Sequence, residues 1–284
     1  NLTVVVDDND MNISHVIRGE DHISNTPKQM LIYKALGWTM PKFGHLPMIL
    51  GSDGKRLSKR HGAKGTSEYK DLGYLPDTLI NYLALLGWNP GNDDEIFDFN
   101  YLQENFSLDK VNKKSAVFDT TKLEWVSSQN IFKIPAAKLV DIASEFDPTW
   151  CGEGHSLEYL VKVIELIKDR IKTLSDIKEN AFYFFNHPTE YDEAAMKKCW
   201  GENTNDILNS FQEELSQLDD WNSSNIDESI NIFVNAINVG KGKLMQPLRI
   251  ALTGALKGPS IPDLMTLLGK ETCLIRFKNI LKNS

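Results

Sequence analysis

The sequence predicts a mostly α-helical protein with a short α/β portion at its start. A strand–helix–strand pattern covers residues 15–50, strand signals nearly vanish after about residue 66, and helical stretches fill the remainder. The length of 284 residues is enough for about two domains. With 41% apolar and 25% charged residues, the composition is that of a globular chain and excludes a disordered or fibrous one.

The α/β portion is predicted from the residue types along the first fifty positions. Leu2–Val6 is a β-branched run that predicts a buried strand, and His15–Arg18 predicts a second, short one. Thr and Pro at 26–27 predict a helix start, with the threonine as cap, and Gly37 predicts its end. Phe43–Leu50 alternates as a strand does. Together these segments predict a β-α-β unit.

The rest of the chain is predicted to be helical, because apolar residues recur at helical spacing between polar breaks. The predicted helices cover 76–86, 100–104, 122–126, 135–145, 156–173, 175–186, 190–199, 204–218, 226–238, 244–256 and 261–281.

Charge is unevenly distributed along this acidic chain. The net charge is −8, which by itself argues against a polyanionic partner, yet residues 1–70 carry +3 and the remainder −11. Two acid-free segments hold the clustered cations Lys55, Arg56, Lys59, Arg60 and Lys64, and then Lys241, Lys243, Arg249 and Lys257. Two such patches predict two separated contacts with one long polyanion; chance clustering on solvated surfaces is the alternative.

Membrane, disulfide and metal signals are absent from the sequence. No apolar run approaches the ~18 residues that span a bilayer, and the opening at Asn1 without Met suggests a piece of a longer polypeptide. Cys151, Cys199 and Cys273 form no C-x-x-C pair, which predicts reduced thiols in the cytoplasm. The histidines match no metal-ligand spacing, so no protein-bound metal is predicted.

The most informative segment is GSDGKRLSKRHG at 51–62. It follows a predicted strand, turns at Asp53 and Gly54, and presents four cations within six positions. Such a loop could close over a polyphosphate, where positive charge stabilises the departing pyrophosphate. Its spacing is not that of a Walker loop. A basic loop that contacts a nucleic-acid backbone is the alternative.

A second candidate is Arg18, which follows an apolar pair at the end of a predicted strand. Open α/β sheets place their ligand crevice at such strand ends, and a guanidinium can grip a carboxylate there. A structural ion pair with Glu20 or Asp21 is the alternative.

A third candidate is the segment Lys243–Arg249, with Pro247 predicted in the first turn of a helix. This would place Gln246 and Arg249 near an anion-binding helix start; an ordinary capped helix is the alternative.

Several of these motifs, taken together, resemble a known family. DGKRLSKRHGA at 53–63 resembles the second ATP-site motif of class I aminoacyl-tRNA synthetases, KMSKS. Other segments are similar to bacterial-type glutamyl-tRNA synthetase: VIRGEDH at 16–22, SNTP at 24–27, HLP at 45–47, GYLP at 73–76, NYLALLG at 81–87, FD at 118–119, KLEW at 122–125, QPLR at 246–249 and ALTG at 251–254. The resemblance spans the chain, densely over 4–125 and thinly over 150–240.

The resemblance implies substrates and site residues. It implies ATP with Mg²⁺, glutamate and tRNA(Glu) as substrates and partners, with Arg18 on a glutamate carboxylate. Lys59 would stabilise the phosphates while glutamate attacks the α-phosphate, and Leu57 would contact ATP beside it. The implied catalytic residues of the loop are Arg56, Ser58, Lys59 and Arg60. The implied tRNA contacts are Arg249, Gln246, Lys243 and Arg170. Arg170 lies on a predicted basic helix that also carries Lys168 and Lys172. The family usually has Lys where Arg56 stands.

The resemblance also implies a domain division and an incomplete catalytic centre. It implies the second half of a Rossmann-type catalytic domain at 1–66, a helical stem-contact domain at 67–133 and an all-helical anticodon-binding domain at 134–284. The family's HIGH motif is missing, so we expect the chain alone not to form glutamyl-adenylate. A glutamate–tRNA ligase fragment is the interpretation, as a monomer without membrane contact. A non-catalytic tRNA-binding module is the alternative. The short glutamyl-Q paralogue is a third possibility, but it lacks the helical anticodon region, so residues 135–284 argue against it.

Overall fold

A computed structural model describes residues 1–58 and 64–283 of the chain. The chain divides into two compact units, Asn1–Asn130 and Ile131–Ser284. Helices dominate the described part of both units, and the described strands lie before residue 47, which confirms the mostly α prediction. The finer division at 66/67 and 133/134 stays a prediction.

The β-α-β unit is confirmed near the start of the first unit. Strand β1 (His15–Gly19) is followed by α2 (Thr26–Leu36) and strand β2 (Lys42–Leu46), and the two strands pair in parallel with Arg18 opposite His45. Helix α2 has a proline in its first turn and ends at Gly37 in the left-handed conformation, at φ 69°. Parallel pairing brings the carboxyl ends of both strands to one edge, where Arg18 lies.

The predicted first strand is wrong. Leu2–Asp10 forms a helix, α1, which packs against α2 and fully buries only Val5, while Leu2 and Val4 remain exposed. A strand here would need a neighbour for its backbone groups, whereas a helix satisfies them internally. The helix penalty of β-branched residues is only about 0.5 kcal/mol each, which packing can override.

The strand predicted at Phe43–Leu50 is shorter than expected. Strand β2 ends at Leu46, just before Pro47, which has no backbone N–H to continue a ladder. Leu50 instead makes isolated bridges to Arg56 and Val117. The chain therefore leaves the sheet and turns back at the strand-end edge.

The remainder of the first unit is helical around an aromatic core. Its helices are α3 (Thr66–Asp71), α4 (Pro76–Gly87), α5 (Phe99–Asn105) and most of α6 (Thr120–Lys133), whose last three residues belong to the second unit. Tyr82 packs with Leu123 and Val126, and its hydroxyl donates to the Asp119 carbonyl at 2.8 Å. Burial raises the pKa of Tyr82 to about 12.

The described part of the second unit consists of helices and short connections. They are α7 (Ala136–Phe146), α8 (Leu157–Ile167), α9 (Ser175–Phe185), α10 (Glu193–Cys199), α11 (Thr204–Ser216), α12 (Ser223–Ala236), α13 (Gly242–Thr253), α14 (Ile261–Leu268) and α15 (Lys270–Asn283). The helix predicted over 261–281 is wrong as a single element, because Gly269 takes φ 82° and separates α14 from α15.

Two further helix predictions for this unit require correction. The segment predicted as one helix over 156–173 ends its α-helix at Ile167 and continues as a 3₁₀ turn, Lys168–Arg170, so the basic residues there do not share one α-helix. Pro247 does not occupy a first turn: α13 begins at Gly242 and encloses it. Gln246 and Arg249 therefore lie inside a helix that begins earlier than predicted.

Candidate active site and nucleic-acid interface

Arg18 lies at the carboxyl end of β1 and is held by neutral side chains. Its Nη2 donates to Thr26 Oγ1 at 2.9 Å and to Gln29 Oε1 at 2.8 Å, both on α2. The guanidinium carbon lies 5.6 Å from the centre of the Phe43 ring. Its Nε is buried and has no hydrogen-bond partner among the described residues. The guanidinium is thus oriented without being neutralised.

The two carboxylates that follow Arg18 in the sequence, Glu20 and Asp21, have partners other than Arg18. Asp21 Oδ2 lies 3.2 Å from Arg56 Nη2, and Glu20 Oε1 accepts the Met48 N–H at 3.0 Å. Among the described residues, neither carboxylate is an ion-pair partner of Arg18. The structural ion pair considered for Arg18 is therefore absent there, and the charge stays available at the strand end.

Thr26 does not cap its helix as predicted. Its hydroxyl is shared between Arg18 and His45, whose Nε2 lies 3.0 Å away on β2. Helix α2 begins after Asn25 without a side-chain cap. The threonine therefore links the helix start to both strand ends and fixes the side chains there.

The segment that follows β2 forms a small hairpin at the same edge. Gly51 N–H donates to the Lys55 carbonyl at 2.8 Å, Gly54 N–H donates to the Gly51 carbonyl at 3.0 Å, and Gly54 takes φ 75°. A glycine in this conformation is typical of a three-residue hairpin loop, and it confirms the turn predicted at Asp53 and Gly54.

The other loop residues are placed only in part. Arg56 is largely exposed and joins this hairpin to the strand end through Asp21. Leu57 N–H donates to the Ile49 carbonyl at 2.8 Å, and Ser58 follows it. Lys59 and Arg60, the principal candidates for phosphate contacts, lie outside the described residues. The catalytic assignments for this loop stay predictions.

In the second unit, Arg249 lies beside two backbone carbonyls. Its Nη1 donates to Gly258 O at 2.8 Å and to Pro259 O at 2.6 Å, and Thr253 Oγ1 donates to its carbonyl. Gly258 takes φ 134°, and a Cβ there would lie 3.3 Å from Arg249 Nη1. The guanidinium thus holds the turn after α13, and a tRNA contact by Arg249 stays a prediction.

Arg170 and Tyr183 share the surroundings of Arg249. Burial and then the charge of Arg170 lower the pKa of Arg249, and burial raises the pKa of Tyr183 to about 12. The Tyr183 hydroxyl is buried with no hydrogen-bond partner among the described residues. Arg170 forms an ion pair with the adjacent Asp169. Arg170 is thus paired with a carboxylate, whereas Arg249 is bound to the two neutral carbonyl groups of the turn.

The other two predicted tRNA contacts lie together nearer the start of α13. Lys243 and Gln246 are exposed and line a groove of about 720 Å³. Arg249, which holds the turn after this helix, is not among the residues that line the groove. The predicted tRNA contacts therefore fall into two separate places.

The described residues offer no group of three His, Cys, Asp or Glu side chains that could hold a metal ion. His15, His22 and His45 instead contact Ser14, Asn25 and Thr26, while His61 lies outside the described part. Within 1–58 and 64–283, no helix is both long and apolar enough to span a bilayer.

Comparison with family models identifies the second unit. Residues 137–281 match the model described as "Anticodon binding domain". The chain belongs to this family. Residues 1–125 match a second model, the catalytic domain of class I tRNA synthetases for E and Q. The anticodon-binding domain thus coincides with α7–α15, and the strand-end edge that holds Arg18 lies in the catalytic-domain match.

Individual relatives agree with both models. The chain is 41% identical to the glutamate–tRNA ligase of Chloroherpeton thalassium and 39% identical to that of Moorella thermoacetica, each over 98% of this chain. A crystal structure of a glutamate tRNA ligase from Elizabethkingia meningosepticum, in complex with its amino acid, superimposes with a TM-score of 0.86 at 34% identity, covering 98% of this chain. The chain spans 57–59% of the length of these relatives.

Sequence reasoning missed the residues that position the candidates. Gln29 and Thr26 hold Arg18, Asp21 binds Arg56, and Tyr183 lies beside Arg249. The sequence held a signal for Thr26 and Gln29, because residues three apart on a helix face the same side. No local signal joins Tyr183 to Arg249, since their neighbourhood arises from helix packing.

Proposed function

We propose that this chain is part of a glutamate–tRNA ligase and contributes a glutamate site, an ATP loop and a tRNA-binding domain. The observation that carries the proposal is Arg18, whose guanidinium is held at a strand end by neutral partners. A cation oriented in this way binds a carboxylate without first breaking an ion pair. The ~40% identity to glutamate–tRNA ligases supports glutamate as the source of that carboxylate.

The chemistry follows from the placement of charge. Arg18 holds one carboxylate of glutamate, so that the α-carboxylate oxygen can attack the α-phosphate of ATP and pyrophosphate departs. Negative charge accumulates on the leaving oxygens, and cations aimed there lower the barrier most. Lys59 is the residue we assign to this role, with Arg56 and Ser58 beside it. ATP enters with Mg²⁺ as substrate.

The tRNA is bound by the anticodon-binding domain. Support comes from the match of residues 137–281 to the anticodon-binding model, and from Arg170 and Arg249, two cations in a unit that is otherwise acidic. Guanidinium groups contact phosphates and base edges, so these two residues are suited to RNA. The three cysteines are free thiols, which fits a reducing cytoplasm. We expect a monomer.

The catalytic centre is proposed to need a further segment. The parallel sheet has two described strands. Ile17 on β1 and Leu31 on the adjoining helix α2 are both exposed. Parallel sheets are usually covered on both faces, which supports an additional layer here. The HIGH-containing half of a class I catalytic domain would provide that layer. A non-catalytic tRNA-binding module remains the second candidate, supported by the match of residues 137–281 to the anticodon-binding model.

Two assays on the purified chain test the proposal. We expect salt-sensitive binding of a tRNA(Glu) transcript, weakened by Arg249→Gln and unchanged by Lys138→Gln, an exposed residue of α7. We expect no glutamate-dependent ATP–pyrophosphate exchange by the chain alone. Exchange by the chain alone would contradict the proposal that the catalytic centre needs a further segment. Failure to bind tRNA would contradict the proposed role in tRNA recognition.

A further inference from the structure

An open groove lies in the anticodon-binding domain, near the start of α13. Its volume is about 720 Å³. The walls come from the end of α10, the segment Trp200–Asn203, the start of α11 and the start of α13. Two stretches of chain, 197–207 and 239–246, therefore meet at one concave surface.

The groove is basic although its surroundings are acidic. Residues 131–284 carry a net charge of −5, yet the groove is lined by Lys197, Lys198 and Lys243 against the single carboxylate of Glu202 among its described lining residues. All four side chains are exposed. Lysines from two different helices that face one hollow create a local attraction for phosphate.

The groove also offers contacts that suit an unpaired nucleotide. Trp200 is half-buried in its wall, and its Nε1 donates to Asn205 Oδ1 at 2.9 Å, which holds the indole in place. Gln246 presents an exposed amide at the edge. Aromatic rings, amides and lysines are the groups that bind single-stranded RNA.

Helix α13 connects the groove to the surroundings of Arg249. Lys243, Gln246 and Arg249 follow one another at three-residue steps, and a rise of about 1.5 Å per residue separates the first and last by about 9 Å along the axis. At about 100° of rotation per residue, Lys243 and Arg249 leave different sides of α13, so the groove and the surroundings of Arg249 are separate places on one helix.

We propose that this groove binds the sugar–phosphate backbone of an unpaired tRNA nucleotide, with the base against Trp200. The proposal rests on the proposed role in tRNA binding, and it adds a subsite separate from the surroundings of Arg249. The three lysines bind the phosphates, and the fixed indole offers its ring to the base.

Charge-removing variants test the subsite in the full chain. We expect the double variant Lys197→Gln/Lys198→Gln and the single variant Lys243→Gln each to weaken tRNA(Glu) binding by about threefold to tenfold. The salt slope should fall by about 0.7 to 1 for each phosphate that a variant no longer neutralises. Glu202→Gln should strengthen binding instead. Lys138→Gln, on α7, should change neither value. Thermal unfolding of every variant verifies the fold.

Cys199 provides an independent readout, because it lines the groove and is half-buried while Cys151 and Cys273 are buried. We expect alkylation of Cys199 in the native chain to be slowed by saturating tRNA and unaffected by inorganic triphosphate. Equal protection by triphosphate would overturn the assignment to RNA.

The outcomes separate this subsite from the proposed function. If the chain binds tRNA and Arg249→Gln weakens it while the groove variants do not, the subsite is overturned and the function stands. If the unaltered chain fails to bind tRNA, both are overturned. Weaker binding by both groove variants, stronger binding by Glu202→Gln and protection of Cys199 by tRNA support the subsite.

Discussion

The guanidinium of Arg18 donates a 2.8 Å hydrogen bond to the amide oxygen of Gln29, a buried side chain on the neighbouring helix. Because Gln29 is neutral, it orients the arginine without cancelling its charge. The same geometry with a carboxylate at position 29 would form an internal ion pair and compete with an anionic substrate.

Gln29→Glu is therefore expected to weaken glutamate binding while leaving the fold intact. In a chimera that adds the HIGH-containing half of the Chloroherpeton thalassium ligase, the KM for glutamate should rise about tenfold or more, since about 1.4 kcal/mol of weaker attraction is a factor of ten. Exchange kinetics at varied glutamate measure this. Lys28→Gln, an exposed neighbour, is the control. An unchanged KM would show that Arg18 does not contact glutamate.

Lys59→Ala is expected to separate chemistry from RNA binding. In the same chimera the rate of ATP–pyrophosphate exchange should fall by about 10²-fold or more, because the variant lacks a cation that stabilises transition-state charge. Affinity for tRNA(Glu), measured by filter binding, should change little. An equal decrease in rate and tRNA affinity would mean that the loop only clamps the RNA backbone.

We expect the carboxylate of Asp147 to contribute to the stability of the folded chain in a pH-dependent way. It accepts hydrogen bonds from Thr149 Oγ1 at 2.7 Å and from Thr149 N–H at 2.8 Å, with Lys178 Nζ 3.1 Å away. The Thr149 hydroxyl first, then its N–H and Lys178, lower the pKa of Asp147 below its usual value. A lowered folded-state pKa stabilises the protein above the unfolded pKa, and this stability is lost as the pH falls through the folded pKa.

Asp147→Asn should therefore lower the free energy of unfolding at pH 7 by about 1 kcal/mol or less, since the group is near the surface. The difference should vanish in acid, below the folded-state pKa. Urea unfolding across an acidic pH series measures it, with the exposed Asp141→Asn as control. A difference independent of pH would contradict the assigned hydrogen bonds.

Arg276 is buried and binds backbone carbonyls across the second unit. Its exposed fraction is 2%, and it donates to Leu252 O and Asn186 O and lies 3.4 Å from His187 Nδ1. Arg276→Met should cost about 2 to 3 kcal/mol of unfolding free energy, because the buried Leu252 carbonyl and the part-buried hydrogen bond to Asn186 O lose their donor. Urea unfolding measures this, and Lys278→Met on the exposed side of α15 should stay within about 0.5 kcal/mol. Similar effects of both changes would contradict this role.

Elements whose signals are local can be predicted from the sequence. The proline and glycine that bound α2, and the Asp-Gly turn after β2, act within a few residues, so their predictions are confirmed. The strand predicted at Leu2–Val6 is wrong because packing on α2, which the local sequence does not contain, outweighs a small β preference. The break at Gly269 is not predicted, since glycine within an apolar periodic run has no required conformation.

In the candidate site, too, local signals are predicted correctly and contacts that depend on packing are not. Arg18 is correctly predicted at a strand end, because parallel strands present their carboxyl ends at one edge. Its hydrogen bonds to Thr26 and Gln29 depend on the approach of α2 to β1, which no spacing in the sequence specifies. For the same reason Arg249 is predicted at a helix start, whereas it holds the turn at Gly258.

The most direct test of the account is aminoacylation of tRNA(Glu) and tRNA(Gln) transcripts by the chimera, with labelled glutamate, aspartate or glutamine. We predict that glutamate alone is attached to tRNA(Glu) and that Arg18→Ala abolishes the attachment without unfolding the protein. A folded chimera that charges no tRNA with glutamate, or one in which Arg18→Ala charges as well as the parent, would contradict the account.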